Sequence, residues 1–178
     1  MRITVFGGSQ PKPGDVAYEA AYQLGRLIGL DQHTVLTGGY IGTMEAVSRG
    51  VAEAGGHVIG VTCAEIETWR PGGPNRWVQE EIRFDTLRQR LYTLIDESDA
   101  ALVLPGGIGT LAELAVMWSQ LQTGSIVHRP LILIGPEWRT VLDTFFIQLG
   151  AYVPERHRKL LSFAPDIYQA YAMLTSGG

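Results

Sequence analysis

The sequence predicts an α/β protein: a three-layer, doubly wound, Rossmann-like sheet, mainly parallel, in a single domain over residues 1–178. Three observations predict it. Short apolar runs alternate with longer segments of helical periodicity as far as the C-terminus. The connections are short, and strand–helix alternation of this kind means parallel strands joined by right-handed crossovers. Finally, three of the runs end in paired glycines, at the corners where such sheets bind their ligands.

The elements follow in order. RITVFG (2–7) is a β-branched run ending in glycine, and DVAYEAAYQLGRLIGL (15–30) is a helix with Val16, Ala20, Leu24, Leu27 and Ile28 at helical spacing and Asp15 as N-cap. HTVLTGG (33–39) is a second strand, and GTMEAVSRGVAEAG (42–55) a helix ending at paired glycines. HVIGVT (57–62) is a third strand, after which a Pro/Gly/Trp-rich loop is expected over 67–77. A weaker strand (80–85) and a helix (86–98) lead to AALVLPGG (100–107), a continuous apolar run typical of a strand buried on both faces. The helix 110–124 places Leu111, Leu114, Ala115, Trp118 and Leu121 on one side. PLILIG (130–135) is the last central strand; helices near 137–148 and 165–174 flank a short edge strand at LLSFA.

Composition narrows the function. The chain is 46% hydrophobic and 18% charged with net charge −4, which argues against a nucleic-acid partner, since such partners demand a basic face. Cys63 is the only cysteine, and the four histidines are scattered, so neither a disulfide nor a metal site is expected. The N-terminus reads directly into a strand, and no apolar run approaches the ~18 residues of a membrane span, so the expected location is the cytoplasm.

Function is expected at the glycine corners FGGSQ (6–10), TGGYIGT (37–43) and PGGIGT (105–110). A glycine turn leading into a helix exposes backbone N–H groups at the positive end of the helix dipole, a ready anion site. Gly106, Gly107, Gly109 and Thr110 fit this at one corner; Gly38, Gly39, Gly42 and Thr43 fit it at another. The alternative is that the glycines only make tight turns, but two matching corners on one sheet edge favour phosphate. The dinucleotide fingerprint is absent after the first strand, and no lysine completes a Walker loop, so NAD and P-loop ATP hydrolysis do not fit.

Glu113 follows the last corner on the first turns of its helix, facing the ribose of a phosphate-bound ligand or merely complementing the dipole. Arg88 and Arg90 lie two apart on a helix, so about 200° separates them and at most one faces the sheet edge. Tyr40 is placed to touch a base or to cover its own turn. Trp69, Arg70 and Trp77 form either a lid over a base or a packing cluster.

With these residues, the sequence resembles the Lonely Guy family, phosphoribohydrolases that release cytokinin bases from their riboside 5′-monophosphates. The motif P-G-G-x-G-T-x-x-E runs from Pro105 to Glu113, followed by Trp118, Gln120 and Leu121. Gly8 and Ser9 match the first corner, and Gly38, Gly39, Gly42 and Met44 the second. The resemblance implies a homodimer and, with no cofactor, hydrolysis of the N-glycosidic bond of a nucleoside 5′-monophosphate, of cytokinin type or AMP. It also implies that Glu113 and Arg90 are catalytic, that the glycines with Ser9, Thr43 and Thr110 hold the nucleotide, and that Tyr40, Met44 and Arg88 are base or lid contacts.

Three departures accompany this. In the family segment M-H-E-R-K, only Arg90 is kept, with Arg88, Gln89 and Leu91 around it. Thr37 stands where a third glycine is usual, and Glu45 where the family has glycine. The second corner is similar to a bacterial branch of predicted nucleotide-binding proteins and to molybdenum-cofactor carriers. The implied alternative is therefore a non-catalytic protein that binds or carries a nucleotide or molybdenum cofactor. Family members have been labelled lysine decarboxylases, but a pyridoxal phosphate enzyme needs a Schiff-base lysine, and Lys12 and Lys159 are both poorly placed.

Overall fold

The computed structural model describes residues 1–176. Its elements are β1 (Arg2–Phe6), α1 (Val16–Leu30), β2 (Thr34–Thr37), α2 (Thr43–Glu53), β3 (His57–Cys63), α3 (Ala64–Trp69), β4 (Glu80–Phe84), α4 (Leu87–Asp96), β5 (Ala100–Val103), α5 (Ile108–Thr123), β6 (Leu131–Ile134), α6 (Pro136–Leu149), α7 (Glu155–Arg158), β7 (Ser162–Ala164) and α8 (Ile167–Thr175). The strands form one sheet in the order β4-β3-β2-β1-β5-β6-β7. Every neighbouring pair is parallel.

Strand residues alternate between two buried layers, as a pleated strand covered on both faces requires. Ile3, Val5, Val35 and Leu102 pack with α1, α2 and α8; Phe6, Leu36, Ala101 and Val103 pack with α4, α5 and α6. The chain winds outward from β1 to β4, returns across the sheet to β5, and winds the other way to β7. The reversal lies between β1 and β5, so the crevice expected of a doubly wound sheet opens at their C-terminal ends.

The segment expected to be loop from residue 67 begins inside a short helix, α3, whose last residue is Trp69. The short helix α7 and a 3-10 turn over Gly150–Tyr152 likewise occupy the connection before β7. Asp15 stands at the N-cap of α1, but its carboxylate accepts from the Lys12 N–H at 2.8 Å rather than from the helix. This pins the loop that follows the first glycine corner.

Candidate active site

Strands β2, β1 and β5 are consecutive in the sheet, so all three glycine corners meet at one edge, with the Gly7–Ser9 turn between the other two. The turns touch. Gly8 N–H donates to the Pro105 carbonyl at 3.3 Å, and a Cβ on Gly8 would stand 3.3 Å from Gly106 Cα. On the other side, the Gly8 carbonyl accepts from Thr43 N–H at 2.9 Å and from Thr43 Oγ1 at 3.0 Å.

The corners are not equivalent. In the second, Gly39 N–H donates to Thr37 Oγ1 at 3.1 Å, which explains the threonine at that place. Asn75 donates from its backbone to the Gly39 carbonyl at 2.7 Å and from its side chain to the carbonyls of Gly39 and Tyr40 at 3.0 and 2.9 Å. Gly42 has φ +77°, and a Cβ there would stand 2.5 Å from Ser9 Cα, so only glycine fits. Thr43, whose hydroxyl was expected to meet phosphate, is buried with that hydroxyl on Gly8. This corner is closed largely on itself.

The third corner is open. Gly107 and Gly109 are exposed, and a Cβ on either would meet nothing within 4 Å. Nothing in the chain's own packing calls for glycine there; the space is left in front of the first-turn amides of α5, which have no partner within the helix. A helix of 16 residues adds its dipole at this point.

Behind that opening lies a buried ion pair. Arg90 Nη1 donates to Glu113 Oε1 at 3.3 Å, with side chains 6% and 9% exposed. Arg90 Nε donates to the Val61 carbonyl of β3 at 2.9 Å. Its guanidinium lies 5.9 Å from the centroid of the Tyr40 ring, and a methyl on Gly38 would overlap its Nη2. Burial pushes the Glu113 carboxyl up to about 7, outweighing the lowering effect of Arg90 beside it. A group poised in this way can change protonation near neutral pH.

Of the residues read from the sequence, Glu113 and Arg90 come together, while Arg88 points outward, exposed, with its guanidinium 5.9 Å from the Tyr92 ring. Tyr40 is buried: its hydroxyl donates to the Cys63 carbonyl at 3.1 Å and accepts from Cys63 N–H at 2.9 Å. It covers its turn and lies beneath Arg90. Met44 is buried against Gly38, its sulfur 2.6 Å from where a Cβ would stand. Ser9 Oγ accepts from Arg70 Nη2 at 3.1 Å, a contact the sequence does not signal.

The tryptophans of the loop divide. Trp77 is half-buried near Arg49 and Arg76; Trp69 is 69% exposed with Arg70 stacked on it. Lys12 borders the same region, whereas Lys159 lies 3.8 Å from Glu155 far along the chain. Among the described residues, no three metal-ligating side chains gather, and no helix is long and apolar enough to cross a membrane.

Fold and site together define a doubly wound α/β protein with three glycine turns at one edge of its sheet and a buried carboxylate–guanidinium pair. Residues 44–174 match the family model described as "Possible lysine decarboxylase", and the chain belongs to this family, which is that of the Lonely Guy phosphoribohydrolases. A probable cytokinin riboside 5′-monophosphate phosphoribohydrolase of Oryza sativa subsp. japonica is 36% identical, over 85% of this chain and 58% of its own length. A cytokinin riboside 5′-monophosphate phosphoribohydrolase of Arabidopsis thaliana is 34% identical, over 97% of this chain and 82% of its own. The chain thus spans less than two thirds of the rice relative's length. Among solved structures, the molybdenum cofactor binding protein of Rippkaea orientalis aligns with TM-score 0.76 and 25% identity, over 98% of this chain and 95% of the other.

Proposed function

We propose that this chain hydrolyses the N-glycosidic bond of a nucleoside 5′-monophosphate, giving free base and ribose 5-phosphate. The observation that carries the reading is the buried Arg90–Glu113 pair set directly behind the open glycine corner of α5. The 5′-phosphate sits on the amides of Gly107, Ile108, Gly109 and Thr110, remote from the reacting bond, and its binding energy holds C1′ against the carboxylate.

In the reaction the C1′–N bond breaks and its electron pair leaves with the base. Water adds at C1′, and its proton passes to the base nitrogen. The ribose becomes oxocarbenium-like on the way, so a carboxylate beside it stabilises charge present only in the transition state. Glu113 supplies that carboxylate. Arg90, already committed to Val61 and Glu113, acts mainly by orienting Glu113 and favouring its ionised form against the cost of burial rather than by reaching for the phosphate. The active form is a cytoplasmic homodimer that needs no cofactor.

A second reading is a carrier that holds a nucleotide or a phosphorylated cofactor and releases it unchanged. The likeness to a molybdenum cofactor binding protein over almost the whole chain favours it.

Incubation with a panel of nucleoside 5′-monophosphates, followed by chromatography of the free base, decides between them. Base release that disappears in Glu113→Gln supports the hydrolase. Nucleotide binding without release from any member of the panel rejects it in favour of the carrier.

A further inference from the structure

Beside the glycine corners lies a cleft of about 390 Å³, between the loop after β1, the first turn of α2 and the end of α3. Ser9 and Gly42 line it, so it continues the edge on which the corners sit. One wall is the Trp69 indole, 69% exposed, with the guanidinium of Arg70, itself a lining residue, 4.6 Å from its ring centroid. Another is Ile41, half exposed. Glu45 lines it from α2, half-buried, with neither a hydrogen bond nor an ion pair for its carboxylate among the described residues. Lys12 and Arg70 bring positive charge to the same cleft.

An open indole face calls for a flat ring. A half-buried carboxylate left without a partner calls for donors, and its two coplanar oxygens suit two adjacent N–H groups on one edge. The rim cations suit an acceptor beside those donors. Guanine presents this set: an N1–H, a 2-amino group and the O6 oxygen. Pterins carry the same amino-lactam edge. Adenine does not, because its amine adjoins a bare ring nitrogen whose lone pair would face the carboxylate.

We propose that this cleft is the heterocycle subsite of the bound nucleotide and selects an amino-lactam edge over adenine, with Trp69 stacking on the ring and Glu45 pairing with its donors. The proposal rests on the reading that the α5 corner, on the other side of the Gly7–Ser9 turn from Gly42, holds the 5′-phosphate.

Calorimetric titration of the full chain with GMP, IMP, AMP and neopterin monophosphate tests it. GMP or the pterin should bind about tenfold or more tighter than AMP, with IMP, which lacks the 2-amino group, between them; whichever of the two is tighter names the source of the edge. Glu45→Gln should bring the GMP-to-AMP ratio near or below one, because an amide matches adenine. Trp69→Ala should weaken all ligands by a similar factor. AMP binding as tightly as GMP in the native chain, or a ratio unmoved by Glu45→Gln, overturns the subsite. The same samples assayed for base release separate the two claims. Selective binding without release leaves the subsite and removes the hydrolase. Release without GMP selectivity does the reverse, and binding of none of the four ligands removes the subsite.

Discussion

Glu113 is the residue on which the proposed chemistry depends most. Its folded value of about 7 lies above the ordinary 4.5, so the native state holds a proton that the unfolded chain has lost. The sign follows: Glu113 lowers stability progressively as pH rises from 4.5 to about 7, by an upper limit of about 3 kcal/mol. Denaturant unfolding at pH 5 and pH 8 should show this loss in the native chain and not in Glu113→Gln. The proposed hydrolysis runs the other way. Only the ionised carboxylate stabilises an oxocarbenium, so kcat/KM should rise with pH through about 7, and a rate independent of pH between 5 and 8 would contradict this role.

At the scale of elements, the α2 and α5 corners share a sequence pattern and differ in physics. The first glycine of the second corner, Gly38, is not in a positive-φ conformation, so alanine fits its backbone. What it cannot fit is Arg90 and Met44, both of which meet the position through flexible ends. Gly38→Ala should therefore leave Tm within about 5 °C of the native value. It should also shift the guanidinium off Glu113 and cut base release by at least tenfold, in line with the roughly hundredfold that a 1 Å misplacement can cost. Equal losses of stability and activity would mean that the glycine serves only the turn. Elsewhere glycine serves packing: a Cβ on Gly25 of α1 or on Gly50 of α2 would overlap the backbone carbonyl of Val47 or Tyr22, so these helices approach almost backbone to backbone.

Over the whole molecule, α5 carries more apolar surface than the domain covers. Leu114, Met117 and Leu121 are buried, and Trp118 turns inward, edge-on to Phe145 and Phe146 and donating to the His157 carbonyl at 2.8 Å. Trp118 therefore does not contribute to the uncovered face of α5. Ile108, 82% exposed, and Leu111, 42% exposed, form that face with Ala115 at helical spacing. If this face is the seam of the proposed homodimer, Leu111→Glu should convert a dimer to a folded monomer in light scattering at micromolar concentration. A native chain that is already monomeric there would dispose of the dimer.

The sequence by itself determined the layered α/β architecture, because alternating periodicities and glycine-ended strands are local signals that short parallel connections turn into one topology. It also placed Glu113 on the helix that follows the Pro105–Gly109 corner, since that spacing is local in sequence. It did not reveal α3, α7 or the Arg70–Ser9 contact, where the local signals are weak and tertiary contacts hold the chain in place. Periodicity could say that only one of Arg88 and Arg90 turns inward. That it is Arg90, bound to Val61 across 29 residues and to Glu113 across 23, was decided by packing of α4 against β3 and α5. The same holds for the two look-alike corners: whether a glycine leaves room for a ligand or for its own neighbours depends on atoms distant in sequence, and only the folded chain brings those atoms to the edge.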